Sequence, residues 1–167
     1  MSEHLVLCGG AEQRSRYAAE PLILGLRPPK GNVKLRIEDI SRKLVSDVPD
    51  LLTDLVEIAA YVYAADRSTS RGGVTLRNMG KAWYRSFHFV IPVRQPDVWG
   101  SEHVRDALVD TLSFLSDDRF EFAFEPLSDP PPLQSYLDFG AAEETGFNPD
   151  EVTLFSGGLD SFAGAVE

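Results

Sequence analysis

Near its C-terminal end the chain carries Ser156-Gly157-Gly158-Leu159-Asp160-Ser161, set between the apolar run Glu151-Val152-Thr153-Leu154-Phe155 and Phe162-Ala163-Gly164-Ala165-Val166. The pattern predicts a short strand, a tight loop and the opening of a helix. Such a loop presents backbone N–H groups and a positive helix end to an anion. Two adjacent glycines let the main chain approach a phosphate with no Cβ in the way. Ser156 and Ser161 add hydroxyl donors. Asp160 would repel a bare phosphate unless it caps the helix or faces Mg²⁺, so a Mg²⁺-pyrophosphate site accounts for the whole set. A Walker A loop is excluded, because no Lys follows the last glycine.

This signature resembles the PP-loop of the ATP-pyrophosphatase superfamily. The resemblance implies that Ser156, Gly157, Gly158, Asp160 and Ser161 hold the β- and γ-phosphates of ATP with Mg²⁺, Leu159 giving only its backbone. It further implies attack of a substrate oxygen on the α-phosphate, loss of pyrophosphate, and displacement of the adenylate by a nucleophile. Leu154-Phe155-Ser156-Gly157-Gly158-Leu159-Asp160-Ser161 is most similar to the 7-cyano-7-deazaguanine synthase (QueC-like) branch. With some 150 residues ahead of the loop, and stretches such as Asp54-Leu55, Ala59–Val62, Ala65-Asp66, Arg71-Gly72 and Phe89–Arg94, the chain resembles the extended QueC-like proteins of bacterial anti-phage (Qat-type) systems. That resemblance implies adenylation of a carboxylate on a 7-deazaguanine-type base, then attack by an amine, which a companion protein could supply. A non-catalytic module that binds a partner is the alternative reading. The family's cysteine-rich zinc site has no counterpart here, so Zn²⁺ would belong C-terminal to residue 167. Ending six residues after Ser161, the chain is expected to be a piece of a longer protein and to catalyse nothing alone; its catalytic residues are not identified.

Other chemistry-bearing residues have plainer readings. Asp54 and Glu57 interrupt an apolar helix that Asp66, Arg67 and Arg71 close, which predicts a structural ion pair, with Arg67 or Arg71 as partner. His4, His88 and His103 lack metal-ligand spacing. Trp83 and Trp99 flank an apolar strand and read as core or domain-contact residues. Cys8, the one cysteine, ends the run Leu5-Val6-Leu7-Cys8 and reads as buried, with no internal disulfide to form. Gly9-Gly10 lacks the rest of a dinucleotide fingerprint and reads as a turn.

The elements that would position these groups follow from periodicity. Leu5–Cys8 predicts a strand; Pro21–Leu26 and Asn32–Ile37 predict a strand pair joined by residues 27–31. Pro49–Ala65 predicts a helix with Pro49 in its first turn and apolar stripes Leu51/Leu55/Ile58/Val62 and Leu52/Val56/Ala59/Tyr63, covered on most sides. Tyr84–Val93 alternates as a strand, with Pro92 marking an edge or a strand end. Ser101 is placed to cap a helix running to about Leu115, with Val104, Leu108, Thr111/Leu112 and Leu115 inward. Arg119–Glu125 predicts a strand with Phe120, Phe122 and Phe124 inward. Pro126–Pro132 holds four prolines in seven residues and opens a linker.

The expected architecture is therefore an α+β N-terminal domain over 1–125, with a mixed or antiparallel sheet and two main helices. A Pro-rich linker over 126–150 leads to the first strand, loop and helix of an α/β PP-loop domain (adenine nucleotide α-hydrolase-like) over 151–167. With 25% charged residues and a formal net charge of −10, the chain is a poor nucleic-acid binder. No apolar run reaches the ~20 residues of a membrane span and the start lacks a signal-peptide pattern, so the expected location is the cytoplasm.

Overall fold

A computed structural model describes residues 2–12, 20–26, 31–35, 48–71 and 83–128. In chain order they form β1 (Ser2–Cys8), β2 (Leu22–Leu24), α1 (Asp50–Ser68), β3 (Arg85–Val93), the single turn α2 (Pro96–Trp99), α3 (Glu102–Ser116) and β4 (Arg119–Pro126). The strands make one sheet in the order β2-β1-β3-β4, and every neighbouring pair is parallel. This Rossmann-like α/β arrangement replaces the expected α+β domain with its mixed or antiparallel sheet. The cause lies in the connections. α3 carries the chain from the C-terminal end of β3 back to the other edge, so β4 must start where β3 started.

β3 and β4 alternate as the sequence requires. Phe87, Phe89, Ile91 and Val93 are buried, and Phe120, Phe122 and Phe124 stand beside them on the same face. Parallel register stacks these rings across the strands, Phe87 on Phe120 at 5.7 Å and Phe89 on Phe122 at 5.3 Å. Ile58, Tyr61 and Ala65 of α1 and Val104, Leu108 and Leu112 of α3 pack into the same core. Pro92 lies in a central strand, not at an edge. It falls past the last residue of β3 that pairs with β1, where a missing N–H costs no ladder bond.

Four local expectations are corrected. Only Leu22–Leu24 of the first predicted pair is a strand, and it pairs with β1. Residues 32–35 instead form a closure in which the Asn32 carboxamide accepts from Gly25 N (2.8 Å) and donates to Ile23 O (2.7 Å); residues 36–37 lie outside the described set. Pro49 stands at the cap position rather than in the first turn of α1. Ser101 occupies the cap position of α3, yet its hydroxyl donates backwards to Val98 O (2.7 Å) and caps nothing; Leu115 is exposed rather than inward.

The largest departure concerns α1. Leu51, Leu52, Leu55 and Tyr63 are exposed, whereas Thr53, Asp54 and Glu57 are buried with Ile58, Tyr61 and Ala65. A helix surfaces its leucines and buries two acids only where those acids are strongly partnered.

Candidate functional site

In open parallel sheets, ligands bind beyond the C-terminal strand ends, where the strand order reverses. Here that point lies between β1 and β3, because the chain passes from β1 to β2 on one side and then crosses to β3 on the other side of β1. Gly9 and Gly10 end β1 with φ of +57° and +89°. A Cβ on Gly9 would sit 2.8 Å from Pro92 Cγ and 3.1 Å from the Tyr61 hydroxyl, so only glycine permits this approach of β1 to β3 and α1. The turn expected at Gly9-Gly10 is thus present.

Beside it, Asp54 on the first turns of α1 reaches the segment that leaves β3. Its carboxylate accepts from Arg94 N (3.0 and 3.1 Å), Gln95 N (3.1 Å), Arg94 Nη1 (2.8 Å) and the Trp99 indole N–H (3.2 Å). Glu57, one turn along, accepts from Arg94 Nη1 (3.0 Å) and Nη2 (3.1 Å) as a bidentate fork. The Asp54 side chain is 0% exposed and that of Arg94 4%. Burial alone would weaken the Arg94 charge. The hydrogen bonds and charges of Glu57 and Asp54 outweigh it and hold the guanidinium pKa above its ordinary value.

A second cluster braces the opposite edge. Asp118, just ahead of β4, accepts from Arg85 N (3.0 Å), Nε (3.1 Å) and Nη2 (2.6 Å), and from Arg71 Nη2 (2.8 Å). Arg85 Nη1 donates to Thr69 O (2.9 Å) and Asp66 O (3.3 Å), and Nη2 to the Asp66 carboxylate, which satisfies carbonyls at the end of α1. Arg71 Nη1 does the same for Ser116 O at the end of α3 (2.8 Å) and stacks over Trp83.

The ion pairs expected at Asp54 and Glu57 therefore exist, with Arg94 as partner rather than Arg67 or Arg71. Their chemistry is structural. Asp54 accepts from Arg94, two backbone N–H groups and the Trp99 indole, and Arg94 donates to Asp54 and Glu57, so both are already engaged within the fold. No group of acids, histidines or cysteines capable of holding a metal occurs among the described residues. Trp99 is core, Trp83 is partly exposed, and His88 Nδ1 meets Glu121 Oε2 at 2.7 Å across β3 and β4. Cys8 is buried, and burial pushes its thiol pKa up, which makes it inert. Among the described residues, no helix is long and apolar enough to cross a membrane.

Ser156, Gly157, Gly158, Leu159, Asp160 and Ser161, the predicted phosphate-binding set, lie outside the described residues. Sequence reasoning missed Arg94, Asp118 and Arg85 as brace residues. A signal existed for Arg94, an arginine directly after an apolar strand, facing two acids three residues apart on a buried stripe. Comparison of the chain with protein-family models, curated proteins and solved structures finds no match.

Proposed function

We propose that this chain is the N-terminal part of an ATP-dependent adenylating enzyme of the PP-loop kind, working on a carboxylate of a 7-deazaguanine-type base and passing the adenylate to an amine. The observation that carries the reading is Ser156-Gly157-Gly158-Leu159-Asp160-Ser161 directly after the apolar Glu151–Phe155. Backbone N–H groups from the glycine pair, two hydroxyls and one carboxylate make a donor set for Mg²⁺-bound pyrophosphate. Catalysis would then be electrostatic, because charge leaving with pyrophosphate is met by fixed donors. ATP and Mg²⁺ are the cofactors on this reading, and the rest of the nucleotide pocket would come from elements after residue 167. In protein that carries those elements, Asp160→Ala and Ser161→Ala should abolish pyrophosphate release; unchanged release in both would remove the assignment.

A second reading, compatible with the first, makes residues 2–128 a platform for a companion protein. It is favoured by large apolar side chains left on the surface: Leu52, Leu55 and Tyr63 on α1, and Phe114 and Leu115 on α3, at 87% and 73% exposure. A platform of this kind could position the attacking amine and exclude water. Intact-mass spectrometry of a companion incubated with the whole protein, ATP and a carboxy-deazaguanine should then show a mass gain. Nitrile formation from ammonia with no such gain would leave only the small-molecule reaction.

A further inference from the structure

Outside both braces, one buried side-chain nitrogen among the described residues makes no hydrogen bond. His4 stands on β1 in register with Phe87 of β3, and the two rings stack at 5.4 Å. The Nε2 of His4 is buried and makes no hydrogen bond. The same Phe87 ring carries the Arg85 guanidinium at 5.0 Å and Phe120 at 5.7 Å. A protonated His4 would place a second cation beside that ring.

Among the described residues, the charged groups that act on His4 come from three directions. Arg85 of β3 opposes a positive imidazole, and Asp118, ahead of β4, favours it. Asp66 of α1 and Arg71 stand behind them, already engaged with Arg85 and Asp118. On β1 itself, Glu3 alternates to the other face, as do His88 and Glu121 on β3 and β4. Asp118 is the one carboxylate near enough to help. Its Oδ2 already accepts three N–H bonds and its Oδ1 a fourth, so it has little left for an imidazolium.

We propose that His4 is an acid-sensitive latch: neutral, it seals the start of β1 onto Phe87, and on protonation it releases the Ser2–His4 end of β1 from β3. Burial, then the Arg85 charge, lowers the His4 pKa below the ordinary histidine value, against a smaller opposing pull from Asp118. The released or unfolded strand takes up its proton near pH ~6.5. A group whose folded pKa is depressed contributes stability that is whole above the unfolded value. That stability is lost as pH falls from there towards the folded pKa. The latch is therefore closed at pH 7 and above, and weakens between about 6.5 and the lower folded value.

Histidine C–H resonances and backbone amide exchange of the 167-residue chain, followed from pH 8 to 5, test this. The His4 ring should titrate below the ordinary histidine value of about 6.5. Amides of residues 2–5 and 85–87, corrected for intrinsic exchange, should lose protection by up to about tenfold per pH unit below 6.5. His4→Phe keeps a ring on Phe87 but cannot charge, and should abolish that acid-induced loss. His4 titrating at or above about 6.5 would overturn the proposal even if the variant fails to fold. So would an equal acid-induced loss of protection in His4→Phe.

Discussion

The two ends of the sheet solve one problem, a buried arginine beneath a helix terminus, with different charge balances. At the N-terminal edge Arg71 and Arg85 meet Asp66 and Asp118, two cations against two anions, and the surplus donors satisfy the carbonyl ends of α1 and α3. At the C-terminal edge Arg94 alone faces Asp54, Glu57 and, at 3.8 Å, the exposed Asp50. There the extra negative charge is met by neutral donors: two backbone N–H groups and the Trp99 indole. The first edge is a closed electrostatic brace. The second holds its carboxylates by hydrogen bonding, and it lies where α/β sheets admit ligands. The lesson is that ion pairs at that edge do not by themselves make a site. Both partners are consumed by the fold.

Removing one partner from each edge should separate these designs. Asp118→Ala leaves Arg85, 1% exposed, without its main counter-charge, and should cost about 3–5 kcal/mol in denaturant unfolding. Arg94→Met strands two buried carboxylates and should cost about 3 kcal/mol at pH 7. Stranded buried acids take up protons, so that penalty should shrink at pH 5. No such recovery is expected for Asp118→Ala, since Arg85 cannot shed its charge in this range. Equal pH dependence in the two variants would erase the distinction. A smaller effect belongs to Gly9→Ala, which combines a positive φ with a Cβ 2.8 Å from Pro92 and should cost about 2 kcal/mol, read as a lower melting temperature.

How far the sequence spoke depended on the range of each interaction. Alternation in Phe87–Val93 and Phe120–Phe124, and the 3.6-residue period of Val104–Leu112, are local, and they placed β3, β4 and α3 nearly to the residue. The parallel topology was harder to read. His88, Arg119 and Glu121 give one side of β3–β4 a polar face, which mimics a half-solvated antiparallel sheet. The strand–helix–strand order from Tyr84 to Glu125 was the better signal, since it describes one βαβ unit. The buried side of α1 was not legible from periodicity. Arg94, forty residues from Asp54, selects the Asp54/Glu57/Tyr61 side over two stripes richer in leucine. The proposed phosphate-binding set, Ser156–Ser161, is the reverse case: it rests on residue type and spacing alone and lies outside the described residues.

On the reading proposed above, the buried charges around Arg85 and Arg94 are structural, and the ATP chemistry would belong to Ser156–Ser161. Pyrophosphate release per folded molecule, measured in protein carrying the remaining nucleotide-domain elements, tests it most directly. Asp160→Ala should melt like the parent and release no pyrophosphate. Trp99→Phe, which takes one hydrogen bond from Asp54, should melt lower and release pyrophosphate at the parental rate. A folded Trp99→Phe variant that releases none, or an active Asp160→Ala, would contradict the account.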